Sequence, residues 1–126
     1  AYEIPKRDWS SDVCSSDLHV RDVLFILRDR IVVAIEEDVP DGKPLYRDAR
    51  VDLGLYAGDE PAQVAGEVTM AASLFGRTWD RIPDALHGRT MRFAFPSEAI
   101  RSIAWVAAQT VHEVEHHLGD MRRLTA

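Results

Sequence analysis

The sequence predicts an all-α domain: a helical bundle whose three long helices lie near residues 16–38, 59–82 and 97–123, with a long crossover after the first. Three observations carry this. Apolar residues recur at helical spacing through those stretches. Glycine and proline collect between them, at Pro40, Gly42, Pro44, Gly54 and Gly58 and again at Pro83, Gly88 and Pro96. The β-branched run Ile31 to Val33 does not turn the first stretch into a strand, because its length and the charged trio Arg28 to Arg30 favour one largely buried helix.

Composition narrows the function classes. A chain of 126 residues suggests one domain with a single core. Apolar content of 46% and charged content of 29% are ordinary for a soluble globular protein, which argues against disorder. Against 21 acidic side chains stand 15 basic ones that form no single run, so no phosphate-tracking surface and no nucleic-acid partner are expected. No apolar run approaches the roughly 20 residues needed to span a bilayer, and no basic-then-apolar start reads as a signal peptide. A cytoplasmic protein with no membrane partner is the expectation.

The chain opens on a stretch of doubtful origin. Asp8-Trp9-Ser10-Ser11-Asp12-Val13-Cys14-Ser15-Ser16-Asp17-Leu18 resembles a sequencing adapter translated in one frame. Residues 1–18 are therefore expected to be non-native and residues 19–126 to form the domain, incomplete at its start. The only cysteine, Cys14, lies in that stretch, so the remainder raises no disulfide question.

In the first helix His19 shares a face with Val23 and Ile26 and is expected to point inward. Residues 39–58 read as a crossover loop of unusual length, and such loops often line a site. Tyr46, Arg47, Arg50 and Tyr56 supply polar and aromatic groups to cover a pocket, though a plain solvated crossover fits as well. Asp59 reads as the N-cap of the next helix, with Pro61 in its first turn. Val64, Val68, Ala71, Phe75 and Ile82 give that helix one apolar stripe, and Pro83 ends it. The connector 84–96 is irregular, with Arg92 to Phe95 a candidate extended run and His87 a loop residue. Ser97 is a fair N-cap for the last helix.

That helix carries the most informative stretch, His112-Glu113-Val114-Glu115-His116-His117. Residues four apart lie one turn above each other, so His112 and His116 can offer two imidazoles to one metal ion. Two surface histidines at that spacing by chance remain the bland alternative. At 100° per residue, Ile100, Ala104, Ala107, Ala108, Val111 and Leu118 cluster into an expected core stripe. Trp105, His112 and His116 border it, Glu115 lies inside it, and Glu113 and His117 are rotated away. A carboxylate on a buried face needs a partner, which makes Glu115 a candidate fourth ligand, an acceptor for an imidazole N–H, or the partner of an arginine. The same run fits the H-E-x-x-H pattern of zinc proteases, but the elongated form of that pattern fails where this chain has Arg122.

His19 ahead of an apolar helix, a long crossover, a second amphipathic helix and a tail of the form His-x-x-x-His-His-Leu-x-Asp ending at Asp120 together resemble the DinB-like family of metal-binding four-helix bundles. The tail is similar to the branch related to mycothiol-dependent maleylpyruvate isomerases. The resemblance covers His19 to Arg123 and implies metal ligands at His19, His112 and His116, with an open position for water or a thiolate. Two departures stand out: the family's first helix is missing or replaced by the adapter-like stretch, and Glu115 stands where many members have an apolar residue.

What the resemblance implies is a divalent-metal-dependent transferase or isomerase that uses a low-molecular-weight thiol such as mycothiol or bacillithiol. Zinc, nickel and iron suit it equally. A small molecule is the expected substrate, with Tyr46, Arg47, Arg50 and Trp105 as pocket candidates, Arg47 or Arg50 meeting a cofactor carboxylate. A second copy of the chain is a candidate partner. The competing class is a non-catalytic metal-binding bundle of the stress response.

Overall fold

The computed structural model describes the backbone of residues 4–125 and the side chains of residues 17–117. Helix α1 (Ile4–Glu36) is followed by a two-residue strand β1 (Asp41–Gly42), a short helix α2 (Arg47–Asp52) and helix α3 (Pro61–Asp80). A 3₁₀ turn at Asp84–Leu86, the strands β2 (Thr90–Phe93) and β3 (Ala99–Ser102), and helix α4 (Ile103–Thr125) complete the chain.

The all-α expectation is thereby corrected to a mostly helical, mixed α/β fold, rather than a pure bundle. β2 lies centrally in a three-stranded sheet, parallel to β1 and antiparallel to β3. The physical reason lies in the connector. Met91 and Phe93 turn into the core while Arg92 faces solvent, the two-residue alternation of a strand with one buried face. Ser97 precedes β3 instead of capping a helix, so α4 starts at Ile103. Gly42 makes the β1–β2 pairing possible, since a Cβ there would sit 2.3 Å from the Arg92 carbonyl oxygen.

α1 is also longer than expected. It runs without interruption from Ile4 through the adapter-like stretch, and Leu18 is buried. The side chains of the earlier part of that stretch, Trp9 and Cys14 among them, lie outside the described residues. No helix among the described residues is long and apolar enough to cross a membrane.

α1 packs against both α3 and α4. Its buried residues Val20, Val23, Leu24, Leu27, Ile31 and Ala34 meet Ala71, Phe75 and Ile82 from the α3 side, Met91 and Phe93 from the sheet, and Ile103, Val106 and Ala107 from α4. Each large side chain buried there contributes about 1.5–3 kcal/mol. The stripe read for α3 holds, with Val64, Ala71 and Phe75 buried. Its N-cap position is Glu60 rather than Asp59 and makes no side-chain cap, and Asp59 pairs with Arg21 at 3.4 Å.

Polar groups lace the edges of this core. Arg21 pairs with Glu67 at 2.7 Å and Arg28 donates to the Thr78 hydroxyl at 2.8 Å, both between α1 and α3. Tyr56 donates to Asp22 and ties the crossover to α1. At the far end of α1 the Arg89 guanidinium donates to the carbonyls of Ala34 and Glu37, satisfying acceptors that the helix terminus leaves open.

Candidate metal and small-molecule site

A cavity of about 350 Å³ opens between α1, the crossover and α4. α1 presents His19, Val23, Leu27 and Arg30 to it, residues that fall on one face at helical spacing. Phe93 and Phe95 close the sheet side, Pro44 to Arg47 form the crossover wall, and α4 contributes Gln109, Thr110 and Glu113. The wall is therefore apolar along its length and polar at its two ends.

Tyr46 and Arg47 line this cavity. Tyr46 holds a left-handed backbone (φ 55°, ψ 49°) at the start of α2, a conformation that costs a non-glycine residue about 1–2 kcal/mol. The other two pocket candidates lie elsewhere. Arg50 donates to the Leu45 carbonyl and sits 3.7 Å from Asp22. Trp105 packs edge-on against Phe93 and carries the Arg101 guanidinium over its ring at 4.2 Å.

The histidines are arranged otherwise than the α4 stripe suggested. The residues of α4 that are buried are Ile103, Val106, Ala107 and Thr110, whereas Ala108 and Val111 are exposed. The core face is thus turned by about 90° from the expected one. Thr110 is accommodated because its hydroxyl donates to the Val106 carbonyl within the same helix. With this rotation His117 and Glu113 come to face α1, while His112, Glu115 and His116 are exposed. Glu115 does not enter the core, so no buried partner is required of it.

His19 accordingly meets His117, ring centroids 4.8 Å apart and edge to face. The His116 ring also stands edge to face with His117, centroids 5.9 Å apart. His112 and His116 line an adjoining hollow together with Glu113, Gln109, Phe95 and Pro96. Glu113 borders both spaces, and its Oε2 lies 3.5 Å from Nε2 of His117. The Nδ1 of His117 is buried without a hydrogen-bond partner.

Burial and neighbouring charge keep the His19 and His117 rings neutral. Burial first, then the neighbouring His117 and Arg47, depress the His19 pKa to about 4 despite the opposing Asp22. Burial is also the main cause for the lowered pKa of His117, which Arg47 and His116 reinforce and Glu113 opposes. Neutral imidazoles are the form that binds a metal.

As the side chains stand, no three of His, Cys, Asp or Glu among the described residues close into a metal-binding group, and His19, His112 and His116 do not converge. Two donors on one tetrahedral ion are roughly 3.3 Å apart when each bond is about 2.0–2.1 Å. The Glu113–His117 separation of 3.5 Å matches that spacing, and His19 is the next donor beside it. Among the candidate donors, His19, Glu113 and His117 are the ones that lie beside one another, short of a closed group. Sequence reasoning missed the last two because it assigned the wrong face of α4 to the core; the signal available was their shared i,i+4 spacing.

No family model matches the chain, and neither a curated protein nor a solved structure is similar enough to it to count as a relative.

Proposed function

We propose that the chain is a divalent-metal-dependent enzyme acting on a small molecule, after the manner of the thiol-using transferases and isomerases of the DinB-like family that its histidine pattern resembles. The observation that carries this reading is the contact of His117 on α4 with His19 on α1, which lines a cavity large enough for a small molecule. His19, Glu113 and His117 would hold the ion, a set of two neutral nitrogens and one carboxylate that leaves coordination open.

A divalent cation bound there lowers the pKa of an adjoining thiol or water and so supplies a nucleophile at neutral pH. The chain's own groups prepare the place. Burial holds His19 and His117 unprotonated, and the positive charge of Arg47 near both opposes their protonation. The aliphatic and aromatic wall of Val23, Leu27 and Phe93 excludes water from one side, which strengthens polar interactions at the mouth. Gln109, shared by the cavity and the outer hollow, offers a donor and an acceptor to orient a ligand.

The test is titration of metal-free protein with zinc, nickel and iron(II), followed by cobalt substitution and addition of mycothiol or bacillithiol. One equivalent of metal and a thiolate-to-cobalt absorption band on thiol addition are expected. Absence of stoichiometric binding by any of these ions would remove the reading. A cobalt spectrum indifferent to thiol would restrict it to water as the nucleophile.

A further inference from the structure

We propose that the cavity binds an amphipathic carboxylate, its charged end at Arg30 and Lys43, its apolar body along Val23, Leu27 and Phe93, and its opposite end toward His19. The inference rests on the reading of this cavity as the substrate chamber and adds the class of substrate.

The geometry of α1 sets the axis. Arg30 lies eleven residues beyond His19, which on a helix is a rise of about 16 Å with a rotation of only about 20°. Both line the cavity, with Val23 and Leu27 between them. The chamber thus runs from an imidazole end to a guanidinium end along one helix face, and the surface between is hydrocarbon.

Arg30 is the reason to expect an anion. Its guanidinium is half-buried and donates to the Lys43 carbonyl, and among the described residues no carboxylate stands within ion-pair distance of it. Burial, followed by the repulsion of Arg50, lowers its pKa, and only Asp41 and Tyr46 oppose this. Lys43, an exposed cation, belongs to the same wall. A partly desolvated cation short of a counter-charge gains most from an anion that arrives with the ligand, and the planar fork of arginine matches a carboxylate. In the metal-free chain Glu113 gives the opposite end a negative charge, which disfavours a carboxylate there.

The probes are 6-phenylhexanoate and its primary amide, titrated calorimetrically into the metal-free full chain. The carboxylate is expected to bind at least about tenfold more tightly than the amide. Arg30→Met should abolish that preference and Arg30→Lys should keep most of it. Since Arg30→Met also removes the hydrogen bond to the Lys43 carbonyl, Lys43→Met provides a second measurement that leaves this bond in place, and it should reduce the preference as well. Equal affinity for acid and amide, or binding of neither, overturns the proposal, as does a preference untouched by both methionine variants. Because no metal is present, failure here leaves the metal reading standing. A protein that takes up no metal yet prefers the acid would retain this site and lose the other.

Discussion

α1 and α4 face each other across the same cavity, yet their inward faces are built differently. α1 presents a nearly unbroken apolar face, and the one imidazole on it, His19, points where the hydrocarbon around it points. α4 buries Ile103, Val106 and Ala107 but continues that face through Thr110, Glu113 and His117, so its inward line becomes polar exactly as it reaches His19. The difference teaches that a site-bearing helix hides its own face: the polar residues that make the site are the ones that a count of apolar positions assigns to solvent.

The comparison is broken most directly through the packing of α4. Ile103→Ala removes a fully buried side chain and is expected to cost about 2–5 kcal/mol in denaturant unfolding. Val111→Ala, on the exposed side, should change stability by less than about 0.5 kcal/mol. If the two variants unfold at similar denaturant concentrations, the face is misassigned and Val111 belongs to the core after all.

Metal titration sharpens it next. His117→Ala, Glu113→Gln and His19→Ala should each weaken zinc binding by at least about 100-fold, roughly 2.7 kcal/mol. His112→Ala and Glu115→Gln should leave affinity within a few-fold of the unmodified chain. A reversal, with His112→Ala abolishing binding and His117→Ala preserving it, would restore the ligand set that the sequence resemblance implied.

A smaller effect checks how the crossover is held to the α1 side. Tyr56 donates to Asp22, and burial together with that carboxylate raises its pKa to about 12. A group whose folded pKa lies above its unfolded value of 10.0 contributes stability that is complete below pH 10 and is lost as pH rises from 10 toward 12. Phenolate absorbance should show a late ionisation near pH 12, and Tyr56→Phe should remove that step at a cost of about 1 kcal/mol at neutral pH. Absence of a late ionisation that Tyr56→Phe removes would show that the contact is not kept in solution.

Much of the molecule was legible in the residues. The three helical stretches, the buried stripe of α3, the inward turn of His19 and the crossover's share in the cavity through Tyr46 and Arg47 follow from period and from the placement of glycine and proline. These are properties of one segment at a time, and local propensity and periodicity fix them before any contact forms. The sheet, the start of α4 and the partner of His19 were not legible in the same way. β1 has two residues and exists only because Gly42 lets it approach Arg92, a residue fifty positions away. The shortening of α4 to Ile103 depends on β3 finding β2. The side of α4 that faces α1 depends on which polar residues the second helix can satisfy, Thr110 through its own turn and Glu113 with His117 through each other. Sequence determined the elements and one end of the site; tertiary packing decided the rotation of α4, because the free energy of burying a polar face is set by the groups that meet it across the interface.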